Sequence, residues 1–186
     1  VFQSGGGIGV LTQQQPEPGP GQVRLGITAA GICGSDLHIK HGALGDPAGI
    51  QPGHEIAGIV DAVGDGVSIT TGTHVAVEPI VACNSCHFCY TARGNLCADH
   101  EFIGIALPGG LTEYILVPES LLYRSPQNLN KSSAALSEPM AVCVRGARIA
   151  QVGIGDRVAI IGAGSIGLLS ILAAKQAGAG EVFNPP

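Results

Sequence analysis

Four of the six cysteines, Cys83, Cys86, Cys89 and Cys97, fall within one short polar loop. Zinc takes four thiolates in a tetrahedron at about 2.3 Å, and closely spaced cysteines can wrap one ion without ordering distant segments. The pattern Cys-x2-Cys-x2-Cys-x7-Cys favours that reading over four unrelated buried thiols. It also departs from the bacterial iron–sulfur run, which ends x3-Cys-Pro; here the last gap is seven and Ala98 follows. Four closed ligands leave no open position, so the expected ion is structural. His87, inside the loop, reads as a solvent-facing bystander.

A second set of reactive side chains is scattered. Cys33, Ser35 and His38 share Gly31-Ile32-Cys33-Gly34-Ser35-Asp36-Leu37-His38, His54 and Glu55 follow Gly53, and Glu138 comes much later in Ser137-Glu138-Pro139. Together they offer sulfur, nitrogen and oxygen, the mixture that suits a catalytic zinc with a fourth position open to water or substrate. Each alone is more often a packed residue, and spacing does not bring them together. A third feature is Gly162-x-Gly164-x-x-Gly167. An apolar run, residues 157–161, precedes it, and a helical stretch, residues 168–176, follows. Strand, glycine turn and helix are the context a dinucleotide-binding turn requires, with Gly162, Gly164, Ser165, Ile166 and Gly167 as the cofactor-binding residues. An ordinary glycine turn is the competing reading.

These features need positioning elements. Alternation predicts strands over residues 23–29, 56–63, 75–79 and 112–118, punctuated by glycine and proline turns, which suggests a β-barrel-like domain. Beyond residue 130 the texture changes to helices over 132–136 and 140–151, with Pro139 near a helix start. The run 157–161 then reads as a strand buried on both faces. The chain has 186 residues, 45% hydrophobic and 12% charged, which excludes disorder. A net charge of −5 with no basic run argues against nucleic acid. The uncharged stretch 158–174 is interrupted by glycines and serines, so no transmembrane helix is expected. No signal-peptide pattern precedes Val1, and a cytoplasmic protein is the default.

Taken together, the segments PEPGPGQVRLGITAAGICGSDLH, PGHEIAGIVDAVGDGV, VEPIVACNSCHFCYTARGNLC, LTEYILVPES, LSEPMAV and GDRVAIIGAGSIGLL resemble the zinc-dependent medium-chain dehydrogenase/reductase family, the alcohol dehydrogenase-like proteins, in the family's order. The resemblance implies a GroES-like barrel domain over residues 1–140, with a structural-zinc lobe near 80–100. It implies the start of an α/β Rossmann domain over 141–186. Two zinc ions per chain and NAD or NADP are the implied cofactors, and an alcohol or polyol is the implied substrate. A homodimer or homotetramer is implied for the full-length form. Cys33 and His54 resemble catalytic-zinc ligands, and Glu55 the adjacent glutamate that ligates directly or through water in some members. Glu138 resembles the later ligand of the polyol branch, the sorbitol, butanediol and threonine dehydrogenases. Cys143 then reads as packing. Ser35 and His38 match the proton-relay positions.

The departures from the family are at the edges. Gly72-Thr73-His74-Val75 replaces the usual Gly-Asp-Arg-Val turn. No acidic residue follows Glu181, where the family's ribose carboxylate is expected, and the Asn184-Pro185-Pro186 ending looks foreign. These features read as a partial or rearranged product. The competing function is a non-catalytic zinc-binding GroES-like fragment. A zinc-free quinone reductase is disfavoured by the cysteine lobe.

Overall fold

The computed structural model describes residues 1–184; Pro185 and Pro186 of the unfamiliar ending lie outside the described residues. The elements in chain order are β1 (Gln22–Gly31), α1 (Gly34–Lys40), β2 (Glu55–Val63), β3 (His74–Val77), β4 (Ile80–Val81), α2 (His87–Tyr90), β5 (Glu101–Phe102), β6 (Tyr114–Pro118) and β7 (Leu122–Arg124), then α3 (Lys131–Ala134), α4 (Ser137–Ile149), β8 (Arg157–Ala159), α5 (Ser165–Ala177) and β9 (Glu181–Phe183). The chain divides into two compact units, Val1–Ala135 and Leu136–Pro186.

In the first unit an antiparallel sheet runs in the order β6-β1-β2-β3-β7. Alternation along β1 and β6 turns Val23, Leu25, Ile115 and Val117 inward, where they meet Ile56, Val60, Val75 and Val77. Burying each such side chain contributes about 1.5–3 kcal/mol. The expected β-rich domain is present. Among the described residues its sheet is open, with β6 and β7 at the edges, rather than closed into a barrel. The chain between β3 and β6 leaves the sheet to build the cysteine lobe, stiffened by the β4–β5 pair.

The β1–β2 ladder slips register twice, between Arg24 and Leu25 and between Ile27 and Ala29. Such irregularities bend a strand and re-aim its end. Beside the first slip Arg24 pairs with Asp61 at 2.6 Å and donates to the Pro16 carbonyl, tying the proline-rich lead-in to the sheet. At the same end of the sheet, where the Glu119 amide donates to the Gly21 carbonyl, Glu119 clamps the turn before β3. Its carboxylate accepts from the Ser68 hydroxyl at 2.6 Å and from the Ile69 amide at 2.7 Å.

Those bonds, the Ser68 hydroxyl foremost, hold the Glu119 carboxyl below its ordinary pKa. A carboxyl depressed on folding gives stability that is present above its unfolded pKa, about 4.3, and is lost as pH falls through the lower folded value. Thermal melts of Glu119→Gln should therefore show a deficit against wild type at pH 7 that shrinks steadily below about pH 4. A deficit independent of pH would exclude the charged clamp.

The second unit is a strand–turn–helix–strand arrangement. β8 and β9 pair in parallel, with Arg157 opposite Glu181 and Ala159 opposite Phe183. α4 packs on α5 through Cys143, Leu169 and Ala173, so Cys143 is a packing residue, as its sequence context suggests. The expected strand 157–161 ends at Ala159, and it is not buried on both faces: Arg157 and Ala159 are exposed and Ile161 is 89% exposed. Among the described residues only β9 pairs with β8, and pairing along an edge satisfies backbone groups without covering a face.

Candidate metal centres and nucleotide turn

The cysteine lobe is built by local geometry. β4 delivers Cys83, Cys86 caps α2, Cys89 lies within α2, and a single 3-10 turn, Gly94–Leu96, ends on Cys97. Asn84 and Ala92 both take left-handed φ, near +56° and +55°. For Ala92 that conformation costs about 1–2 kcal/mol, a strain that closing the loop on an ion would offset. The four sulfurs lie within 4.8 Å of one another. Two edges, Cys86–Cys89 at 3.5 Å and Cys83–Cys89 at 3.8 Å, match the edge of about 3.8 Å that a tetrahedron with 2.3 Å zinc–sulfur bonds requires. The residues therefore fit zinc. His87 is exposed and outside this group.

The thiols are electrostatically unequal. The Ser85 hydroxyl, donating to Cys83 Sγ at 3.4 Å, helps bring that thiol down to about 6. Burial, then the Cys86 thiol, pushes Cys89 up to about 11. One thiolate thus stands ready at neutral pH while Cys89 holds its proton until a metal displaces it.

A second group converges in the same unit. Cys33, His54 and Glu55 place their ligand atoms within 4.8 Å of one another. β1 ends at Gly31, two residues before Cys33, and β2 begins at Glu55, opposite Gly31 in the ladder. Strand pairing therefore brings these dispersed residues together. His54 is held from behind by a glycine-packed corner. The Gly110 amide donates to the Gly53 carbonyl at 2.7 Å, and a side chain on Gly104 would meet that same carbonyl at 2.9 Å. Phe102 closes edge-on against the imidazole, with centroids 5.4 Å apart.

The sequence did not single out Asp36. It is 2% exposed, and its Oδ2 accepts from the Cys33 amide at 2.9 Å, fixing the start of α1. Its Oδ1 lies 3.6 Å from His54 Nδ1, beyond hydrogen-bonding reach, and both atoms are buried without a hydrogen-bond partner. A histidine that turns Nδ1 to a carboxylate offers Nε2 to a metal. These orphaned polar atoms and the sulfur, nitrogen and oxygen donor set fit zinc. The Cys-x-x-Asp spacing at a helix start was the legible signal for Asp36. Burial raises the Glu55 carboxyl above its usual range, partly opposed by His54 and reinforced by Asp36.

Ser35 and His38 lie on α1, Ser35 half-buried and His38 exposed. Glu138 stands in the first turn of α4, in the second unit. In that unit Gly162 takes φ +100°, and a Cβ on Gly167 would collide with the Gly162 carbonyl oxygen. Gly164 caps α5, and a Cβ there would meet nothing within 4 Å. The protein's own packing does not require that glycine; the close approach of a ligand would. Ser165, Ile166 and Gly167 form the first turn of α5, whose amides have no carbonyl partners within the helix. Asn184, just after β9, donates to the Ile160 and Gly162 carbonyls at 2.8 and 3.0 Å.

A cysteine lobe beside a mixed-donor metal cluster on a GroES-like sheet, followed by a glycine turn between parallel strands, defines a zinc-type medium-chain dehydrogenase/reductase. The alcohol dehydrogenase GroES-like domain matches residues 19–127, and the chain belongs to that family. It is 38% identical to sorbitol dehydrogenase of Arabidopsis thaliana over 166 residues, covering 86% of this chain and 46% of that protein. It is 37% identical to L-threonine 3-dehydrogenase of Pyrococcus furiosus over 173 residues, 90% of this chain and 49% of that one. A zinc-binding dehydrogenase of Sinorhizobium meliloti, solved bound to NADP, superposes with TM-score 0.92 at 38% identity. That match covers 98% of this chain and 54% of the other. The chain spans about half the length of the curated relatives it matches.

Proposed function

We propose that this chain provides the metal- and substrate-binding side of a zinc-dependent alcohol or polyol dehydrogenase, passing hydride from a secondary alcohol to NAD or NADP. The observation that carries this reading is the convergence of Cys33, His54 and Glu55 within 4.8 Å beside a separate four-cysteine lobe. The first unit then serves as the catalytic domain and the second as the start of the nucleotide domain. Sorbitol and threonine dehydrogenases among the relatives support a polyol or a neighbouring-heteroatom alcohol as substrate.

Cys33, His54 and Glu55 would hold the catalytic ion. Zinc in such a site supplies Lewis acidity that lowers the pKa of a bound alcohol. Ser35, half-buried, would accept the alcohol proton, and His38, three residues on along α1 and exposed, would release it to solvent. The glycine turn and the first amides of α5 would hold the cofactor's pyrophosphate. The Asp36 carboxylate holds the Cys33 amide and faces His54 Nδ1 across 3.6 Å.

Elemental analysis joined to steady-state assay tests the reading. The chain should carry two zinc ions and Cys33→Ala one; a full-length protein containing this chain should reduce NAD or NADP with polyols, and its Cys33→Ala form should not. A second reading is a zinc-binding module without turnover, for which the closed four-thiolate lobe would suffice. Two ions with no turnover would select it, and a single ion would sink the catalytic site.

A further inference from the structure

We propose that Gly31 is a positioning residue for the Cys33–His54–Glu55 cluster: its missing side chain lets the Glu55 carboxylate fold across the end of β1 and join the other two ligands. This inference rests on the reading of those three residues as metal ligands and goes on to say what decides whether the third can take part. Gly31 and Glu55 are directly opposed in the β1–β2 ladder, and side chains of opposed residues share one face of a sheet. An added Cβ on Gly31 would overlap Glu55 Oε2 and lie 2.9 Å from both Glu55 Cβ and Cδ. The volume where a residue-31 side chain belongs is therefore taken by the carboxylate.

Backbone conformation does not require a glycine there. Gly31 is outside the thirteen glycines with positive φ, and it continues the strand. Elsewhere on β1, a Cβ on Gly26 would make only ordinary contact, 3.7 Å from the Tyr114 ring. Gly31 differs in that the atoms it admits are a candidate ligand's own. Any larger residue would drive the carboxylate away from Cys33 and His54 and leave a two-ligand site in this unit. One absent methyl group thus sets the donor count that the first unit offers by itself.

Cobalt(II) is the probe, because its visible bands report both thiolate ligation and coordination number. Five forms of the 186-residue chain would be titrated: wild type, Cys33→Ala, Gly31→Ala, Glu55→Gly and the double variant of the last two. Wild type should bind two cobalt ions, one of them lost in Cys33→Ala. Gly31→Ala should keep the lobe ion, weaken the other about 10- to 100-fold and change its d–d bands. Glu55→Gly should do the same, and the double variant should be no weaker than Glu55→Gly alone. Unchanged affinity and bands in Gly31→Ala, or additive losses in the double variant, would overturn the role of Gly31 while leaving the metal site intact. A single cobalt ion in wild type would overturn the site itself, and the inference with it. If Gly31→Ala loses both ions through misfolding, recovery of the lobe ion in the double variant supports the steric conflict, and no recovery refutes it.

Discussion

Cys97→Ser should lower zinc from two ions per chain to one and unfold the lobe while the sheet stays folded. Cys97 is the most buried of the four thiols, 2% exposed, and its sulfur accepts from the Cys83 amide at 3.5 Å. A four-thiolate zinc is worth about 10–16 kcal/mol of apparent binding energy near neutral pH, and in small domains that energy is folding energy. The lobe has little else to hold it: α2 is four residues long and none of its residues is buried. Loss of the ion should appear as rapid amide exchange over residues 82–100, with protection in β1 and β2 unchanged. Wild-type affinity should rise with pH. Cys83 is a thiolate above about 6, but Cys89, held near 11, must surrender a proton on binding. Retention of two ions by Cys97→Ser, or affinity flat between pH 6 and 9, would contradict the four-thiolate site.

The second large effect is expected in the glycine turn, where three glycines serve different needs. Gly167→Ala should destabilise the second unit by about 1–3 kcal/mol, the usual range for overpacking. Its Cβ meets the Gly162 carbonyl, a backbone group with no rotamer to escape into. Gly162→Ala should cost about 1–2 kcal/mol, because its φ of +100° disfavours a side chain. Gly164→Ala should leave stability unchanged, since the added methyl enters open space. It should nevertheless weaken NADH or NADPH binding, because that space is where the pyrophosphate approaches. Thermal melts with α5 amide exchange measure the first two variants, and cofactor fluorescence titration measures the third. Equal stability losses at Gly164 and Gly167 would refute this division of roles.

The sequence was legible where patterns are local or periodic. Alternation placed β1, β2 and β6, because each buries one face against a core the other strands share. The clustering of Cys83, Cys86, Cys89 and Cys97 was legible because all four sit on one short loop. Cys33, His54 and Glu55 were legible only through family resemblance, since their meeting depends on the β1–β2 register and its two slips. Asp36 escaped because an aspartate in a first helical turn ordinarily caps the helix, and here it does that while also facing His54. The apolar run 157–161 misled in the other direction: hydrophobicity marks what a strand is able to bury, and among the described residues Arg157, Ala159 and Ile161 stay exposed.

The contrast between the two metal clusters has a kinetic side. The lobe's ligands close a short loop, and short loops form early because little chain entropy is lost. A collapsed but sheetless chain could therefore already capture an ion there. Cys33, His54 and Glu55 meet only after β1 and β2 have zipped in register, a non-local event that comes later. On the proposed two-zinc reading, metal loading would therefore be ordered in time: the first ion would act as a nucleation aid, and uptake of the second would report that β1 and β2 have paired in register.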